Sequence, residues 1–455
     1  MKNLIILLFV VTLFSCDKEV EKSSYVLLNG SVSNSEAETV SITGSDFEAK
    51  IPIENGAFAD TLDIKVDGYY SLRIGRESTS MYLEQGNAIS ILVDTQKFDE
   101  TIAYSGEGAA ASNYLAAKYL LSETEKSFQD VYSLPENDFL KEANSYNDMY
   151  AKLLKETHGI PEEFISKETK ELAYTHAMNL ENYQEYYRYL TPEKEFEVSD
   201  SFYSNLGDIS YADTTAYRSS PGYQRMLSTH FSRLSSEAVD ADGTKNQTVE
   251  YLTLVSQDLP NGYAKDKLMF DFLQFGLTPD SSLSEAYEIY KNSATDGDDL
   301  KKVTERYTLL KTLLEGQPSP EFAYENHAGG ATSLADLEGK YVYIDVWATW
   351  CGPCIREIPS LKEVEKDYHD KNIAFVSISI DTKKDYQKWR DMVVEKELGG
   401  VQLMADNDWK SEFVTKFGIL GIPRFILLDS EGNIISADAP RPSNPKLREM
   451  LQELI

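Results

Sequence analysis

The chain has 455 residues, of which 42% are hydrophobic and 26% are charged, a balance typical of a folded, water-soluble protein. Its formal net charge of −31 at pH 7 disfavours nucleic acids and anionic lipid headgroups as electrostatic partners. A chain of this length allows roughly two to four domains, each with enough residues for its own core.

The first residues have the pattern of an export signal. A basic residue precedes an apolar run over 4–14, which is too short to span a bilayer as a mature helix. The following Leu13-Phe14-Ser15-Cys16 resembles the end of a bacterial lipoprotein signal, whereas an ordinary secretory signal with an incidental cysteine is the alternative. The resemblance implies a signal peptide over 1–15, lipidation of Cys16 and a polar tether over 16–24. We therefore expect a lipid-anchored protein of the bacterial cell envelope that faces the periplasm. For the anchor, the outer membrane is favoured over the inner membrane.

The sequence pattern of residues 25–105 predicts an antiparallel β-sandwich domain. Short alternating runs are separated by turn residues at near-regular spacing, as in all-β domains. Asn55-Gly56 favours the type I′ turn of a hairpin. The predicted strands lie over 26–30, 39–44, 51–56, 68–75 and 88–93.

Residues 106–315 predict an all-α region, because the apolar spacing changes to that of a helix. One apolar stripe, at spacings of four, three, four and three, consists of Phe139, Ala143, Tyr146, Tyr150 and Leu153. A long helix is expected from Glu162 to near Leu190, followed by a long loop over 193–218. Five further helices are predicted over 222–234, 247–259, 264–275, 282–290 and 300–314.

Residues 317–455 predict an α/β domain. The prolines of Gln317-Pro-Ser-Pro320 end the preceding helix and mark the linker into this domain. Strands are expected over 341–347, 373–380 and 401–404, with hairpins over 322–333 and 424–436. Helices are expected over 355–368, 384–396 and 410–417, and from Asn444-Pro445 to the end.

Cys351-Gly-Pro-Cys354 lies between a predicted buried strand and a predicted helix, the arrangement that a dithiol redox site requires. The helix N-terminus favours ionisation of the first thiol, and the two-residue spacer lets the second thiol reach it. A zinc site lacks further ligands, since Cys16 is the other cysteine and no histidine adjoins the pair. A structural disulfide gains little from closing so small a loop. We therefore predict a catalytic dithiol, with no metal and no cofactor.

The motifs of this last domain resemble those of the thioredoxin superfamily. Val346-Trp-Ala-Thr-Trp-Cys-Gly-Pro-Cys354 and Gly421-Ile-Pro423 carry the general resemblance. Its membrane-anchored TlpA/ResA branch is indicated by Pro320-Glu-Phe322, Gly339-Lys-Tyr-Val-Tyr-Ile-Asp345 and Glu357-Ile-Pro359. The resemblance implies a thioredoxin-like fold. The segment over 25–105 is similar to an uncharacterised β-domain that precedes thioredoxin modules in some envelope lipoproteins, which implies no activity.

The resemblance also implies roles for individual residues. Cys351 is the exposed nucleophile, and Cys354, more buried, resolves the mixed disulfide. Asp345 matches a buried acid that exchanges a proton with the resolving thiol, a role that accounts for a costly carboxylate on a buried strand.

The same resemblance implies a substrate surface. Pro423 matches a cis-proline opposite the dithiol, and Ile422 offers backbone hydrogen bonds to a bound peptide. Trp347 and Trp350 pack and shield the site, and Trp350 also lines the substrate surface. Glu357 matches a carboxylate near the site in the anchored branch, or is an ordinary surface residue.

The leading hypothesis is a thiol–disulfide oxidoreductase that reduces disulfides of envelope proteins and receives electrons from a membrane thiol donor. The Gly352-Pro353 spacer, shared with general cytoplasmic reductants, favours the reducing direction. One alternative is a lipid-anchored binding or scaffold protein with an accessory redox module. Another is a peroxiredoxin-like peroxidase, which requires Thr-x-x-Cys where this chain has Ala348 three residues before Cys351.

Overall fold

The structure is a computed structural model that describes residues 24–44 and 47–455. The predicted signal peptide, Cys16 and nearly all of the tether lie outside the described residues. Within those residues, no helix has the length and apolar character needed to cross a membrane. The chain forms two compact units, one of residues up to 209 with 215–227 and one of residues 210–214 with 228–455. The three-domain division over 25–105, 106–315 and 317–455 stays a prediction.

Two four-stranded sheets open the first unit. The strands are β1 Val26–Ser33, β2 Thr39–Gly44, β3 Phe47–Pro52, β4 Ala57–Leu62, β5 Gly68–Ile74, β6 Glu77–Leu83, β7 Ala88–Asp94 and β8 Ala103–Glu107, with a short helix α1 Phe98–Thr101. The strand orders are β4-β1-β7-β8 in the first sheet and β3-β2-β5-β6 in the second. Alternate side chains of β1, such as Val26 and Leu28, are buried. A single hydrophobic cluster takes residues from both sheets, including Val40 and Leu72 of the second.

The prediction of an antiparallel domain is wrong for one pair, because β1 and β7 run parallel, with Leu27 opposite Ala88. Apolar alternation has a period of two in either strand direction, so the pattern could not distinguish them. The predicted turn is confirmed: Asn55 and Gly56 both have positive φ, 52° and 76°, and a bridge joins Glu54 to Ala57. This turn connects β3 and β4, which belong to different sheets.

The all-α prediction is confirmed across the middle of the chain. The helices are α2 Ala109–Ser122, α3 Phe128–Tyr132, α4 Glu136–Glu156, α5 Glu162–Leu190, α6 Thr214–Ser219, α7 Pro221–Ala241, α8 Gln247–Asp258, α9 Tyr263–Gly276, α10 Leu283–Ser293 and α11 Gly297–Lys311. The predicted loop over 193–218 is partly wrong, since it contains a 3₁₀ turn at Phe202–Leu206 and most of α6. Single buried aromatics, Phe202 and Tyr217, hold these short elements, which have too few residues to show a period.

The α/β prediction is also confirmed. This domain contains a seven-stranded sheet. Its strands are β9 Ala323–Asn326, β10 Ala331–Ser333, β11 Tyr341–Trp347, β12 Ile373–Ser379, β13 Val401–Met404, β14 Arg424–Leu428 and β15 Ile434–Ser436. Their order in the sheet is β10-β9-β13-β12-β11-β14-β15. Its helices are α12 Gly352–Asp367, α13 Tyr386–Glu395, α14 Glu412–Lys416 and α15 Pro445–Leu454. Strand β11 lies inside the sheet, parallel to β12 and antiparallel to β14, and leads directly to the cysteine pair.

Candidate active site

The two cysteines form a disulfide at the start of α12. Cys351 is the N-cap residue, and its Sγ accepts a hydrogen bond from the backbone N–H of Cys354 at 3.1 Å. Pro353 lies in the first helical turn, where its missing N–H has no consequence for the helix. On reduction, the same N–H and the positive end of the helix dipole stabilise a thiolate on Cys351.

The prediction that Cys351 is more exposed than Cys354 is wrong for this oxidised form. Cys351 and Cys354 are each 4% exposed. The disulfide ties both side chains to the same helical turn, next to the buried end of β11, so neither sulfur protrudes alone. The exposed group is the neighbouring Trp350, half of whose surface is accessible and whose ring lies 6.4 Å from that of Trp409.

A buried carboxyl group holds the loop that carries the cysteines. Asp381, 1% exposed, follows β12 and accepts hydrogen bonds from the Thr349 N–H at 2.9 Å and the Thr349 Oγ1 at 2.8 Å. The Ser379 Oγ donates a third hydrogen bond to it at 2.7 Å. Thr349 lies two residues before Cys351. These hydrogen bonds therefore tie the loop that leads into the cysteine pair to the end of the adjacent strand, β12.

Asp345 lies near the middle of β11 and is buried, with 8% of its surface exposed. Burial raises its pKa to about 7, although a hydrogen bond of 2.6 Å from the Ser377 Oγ acts in the opposite direction. Asp345 and Cys354 line one small cavity, which has about 20 Å³ of space, enough for roughly one water molecule. A carboxyl group that titrates near neutrality therefore shares a cavity with the second cysteine.

Three further residues named from the resemblance line this cavity, Trp347, Glu357 and Pro423. The Ile422–Pro423 peptide bond is cis. The Glu357 carboxylate accepts hydrogen bonds from the backbone N–H and the Oγ of Ser443, at 3.0 and 2.9 Å, so it is held at the cavity edge. Ile422 is partly exposed, and Trp350 is the exposed aromatic group beside the cysteines. In the part of the chain that the structure describes, no group of three or more His, Cys, Asp or Glu residues could hold a metal ion.

The sequence analysis missed Ser377, Asp381 and Trp409. A signal was available for the first two, since Ser377 and Ser379 alternate with apolar residues along β12 and therefore point to one side of the sheet, and Asp381 continues this spacing just after the strand. Nothing in the local sequence distinguishes Trp409, because its pairing with Trp350 depends on chain folding over 59 residues.

Comparisons with known proteins agree with this geometry. Residues 314–453 match the family model described as Redoxin. The thiol-disulfide oxidoreductase ResA of Bacillus thuringiensis subsp. konkukian is 24% identical over 152 residues, which are 32% of this chain and 83% of the relative. The thioredoxin-like protein YneN of Bacillus subtilis is 29% identical over 122 residues, which are 27% of this chain and 69% of the relative.

Residues 314–453 belong to the thioredoxin superfamily. Within it they are ResA-like, and the domain is a thiol–disulfide oxidoreductase with a disulfide-forming pair at Cys351 and Cys354.

Two solved structures are similar to about a third of this chain. A solution structure of a putative thiol-disulfide oxidoreductase from Bacteroides vulgatus is 51% identical and covers 31% of this chain and 92% of its own, with a TM-score of 0.28. A crystal structure with the same description from that organism is 35% identical and covers 32% of this chain and 99% of its own, with a TM-score of 0.29.

Proposed function

We propose that this protein reduces disulfide bonds of cell-envelope proteins by dithiol exchange through Cys351 and Cys354. The observation that carries the proposal is the placement of the disulfide at a helix N-terminus, with a buried acid of raised pKa in the same cavity. The direction of the reaction rests on the Gly352-Pro353 spacer, which is typical of reducing members of the superfamily.

The first step uses the reduced enzyme. The Cys351 thiolate attacks one sulfur of a substrate disulfide, so that a bond forms between Cys351 and that sulfur while the substrate S–S bond breaks. The other substrate sulfur leaves as a thiolate and takes up a proton. The N–H of Cys354 and the dipole of α12 stabilise the thiolate that begins this step.

The second step resolves the mixed disulfide. The Cys354 thiol gives its proton to the Asp345 carboxylate, and the resulting thiolate attacks the Cys351 sulfur. The Cys351–Cys354 disulfide forms as the remaining substrate sulfur leaves with its electron pair and is protonated. The substrate gains two electrons, which a thiol donor must return to the enzyme.

The substrate surface consists of groups around the dithiol. Pro423 and the backbone of Ile422 align an extended peptide, and the exposed rings of Trp350 and Trp409 give it an apolar contact. Glu357 lines the same cavity as Cys354.

The proposed location is the bacterial cell envelope. A lipid on Cys16, after removal of residues 1–15, would anchor the protein to a membrane, more in keeping with the outer one, with the enzyme facing the periplasm. The pattern of residues 1–16 supports this placement. Because the envelope is oxidising, a reductase there needs a membrane thiol donor as its electron source. Nucleic acid is not among the proposed partners, in keeping with the net charge of −31.

Trapping in cells tests the substrate class. A full-length Cys354→Ser variant lacks the resolving thiol, so we expect it to accumulate disulfide-linked adducts with envelope proteins, visible on non-reducing gels and abolished by reductant. The matched control, Cys351→Ser with Cys354→Ser, retains neither thiol and should form none. If the single variant forms no adducts above this control, envelope proteins are not the substrates.

A further inference from the structure

Asp345 needs a route for its proton. In the proposed cycle, on which this inference rests, it receives one proton from Cys354 at each resolving step and must lose it before the next. Yet the side chain lies on an inner strand and is buried. The small cavity that it shares with Cys354 is therefore the place to look for the next proton acceptor.

A chain of polar groups leads away from Asp345 along this cavity. The Ser377 Oγ donates to Asp345 at 2.6 Å, and the Gln402 Nε2 donates to Ser377 at 3.1 Å and to the Gly399 carbonyl at 2.7 Å. The Gln402 Oε1 is buried, and among the described residues it has no hydrogen-bond partner. A buried acceptor without a donor is costly. A donor at this point, either a water molecule or a protonated carboxyl group, removes that cost.

Glu365 carries a carboxyl group and lines the same cavity as Gln402. It follows Ile358 and Leu361 on α12 at spacings of three and four, so it lies on the apolar face of the helix and lines the same cavity. It is partly exposed, whereas Asp345 is buried, so it connects the cavity to solvent. A Cβ at Gly399 would collide with the Glu365 carboxylate, so this glycine makes room for it.

The charges around Glu365 suit a group that exchanges protons. Burial raises the pKa of Glu365 to about 6. Lys362 on the same helix lowers this pKa, but its effect is smaller than that of burial. The Lys362 ammonium group also contacts the Lys396 carbonyl at 3.0 Å and the Glu397 carboxylate at 3.7 Å, so its positive charge does not act on Glu365 alone. Asp345 from β11 and Glu357 from α12 face the same cavity, and the charge of Glu365 adds to the rise in the Asp345 pKa.

We propose that Glu365 is a proton-relay residue that acts through Asp345, carrying the proton of the resolving step between Asp345 and solvent. After Cys354 gives its proton to Asp345, that proton passes across the cavity to the Glu365 carboxylate and then to bulk water. One proton leaves the cavity for each disulfide formed between Cys351 and Cys354, and the two electrons go to the substrate. Gln402 orients the donor within the cavity through its Oε1.

The test compares Glu365→Gln with wild-type protein, each as the reduced full chain oxidised by glutathione disulfide between pH 5 and 9. We expect the variant to react about tenfold more slowly near pH 7. This loss is smaller than the rate enhancement that general acid–base catalysis usually contributes. The midpoint of its pH profile should also move to lower pH, because loss of the like charge lowers the Asp345 pKa.

The matched control is Glu363→Gln, which removes an exposed carboxylate from the same helix, near Arg448. It should leave the rate and the midpoint unchanged. A Glu365→Gln profile equal to the wild type overturns the relay, and so does a uniform loss of rate with an unmoved midpoint, since that marks a structural role. Failure of the proposed function would instead appear in the wild type, as an absence of reaction with disulfides.

If Glu365→Gln does not fold, carboxyl ¹³C NMR of the wild-type protein decides the matter. The relay predicts that Asp345 and Glu365 titrate in two coupled steps, each visible in both signals. Two independent single-step curves would overturn it.

Discussion

A Cys351→Ser variant is expected to lose at least about a thousandfold in the rate of disulfide exchange. The thiolate is the nucleophile in every such exchange, and a serine hydroxyl neither ionises near neutral pH nor forms a disulfide. The stabilising N–H of Cys354 points at the Cys351 sulfur, which assigns the attack to this residue. The measurement is single-turnover oxidation of the reduced full chain by glutathione disulfide.

Cys354→Ser is the matched comparison for this variant. It keeps the nucleophile, so the first step should proceed near the wild-type rate and stop at one bound glutathione per protein, detectable by mass spectrometry. If Cys351→Ser instead forms that adduct and Cys354→Ser does not, the roles of the two cysteines are exchanged.

Asp345→Asn is expected to slow the resolving step about a hundredfold, at the lower end of what general acid–base catalysis contributes. An asparagine still accepts the Ser377 hydrogen bond but cannot take the Cys354 proton. In the wild type, the resolving rate should rise as pH increases through about 7, because only the carboxylate is a base. In Asp345→Asn this rise should disappear. A variant that keeps the wild-type pH profile would exclude Asp345 as the base.

The same substitution should stabilise the fold at alkaline pH. The Asp345 pKa is raised from 3.8 to about 7 by burial, so its contribution to stability is complete below pH 3.8 and is lost as pH rises through 7. At 1.36 kcal/mol per pH unit, this difference corresponds to about 4 kcal/mol. We therefore expect Asp345→Asn to raise the free energy of unfolding at pH 8 but not at pH 3.5.

Chemical denaturation at both pH values measures this effect, and Asp370→Asn, whose side chain is 99% exposed, is the control. A lower stability of Asp345→Asn at pH 8 would show that the buried carboxylate is not a cost to the fold. A buried acid that destabilises its own strand is a typical sign that function, not stability, retains it.

The elements nearest the chemistry could be predicted from sequence, because their signals are local. The run from Tyr341 to Trp347 is apolar except for Asp345 and matches β11 residue by residue, and the cysteines follow directly at a helix start. Helix α5 likewise begins after Pro161 and ends before Pro192, as the spacing and the prolines predicted.

What could not be predicted depends on contacts between distant parts of the chain. The parallel pairing of β1 with β7 joins residues about 60 positions apart, and apolar alternation carries no information on strand direction. The partners Asp381 and Ser377 reach Thr349 and Asp345 across 32 residues. Glu365 was missed because a single glutamate on an apolar helix face does not change the helix prediction. It nevertheless brings an ionisable group to that face.

The most direct test of the central claim is the equilibrium reduction potential of the Cys351–Cys354 couple in the full chain. A reductase of this superfamily should give a value near that of thioredoxin, about −270 mV. Such a value would mean that the enzyme gives up electrons and needs a thiol donor to regain them. A value nearer the range of about −180 to −120 mV, that of disulfide isomerases and oxidants, would contradict the reducing direction and indicate disulfide formation or rearrangement.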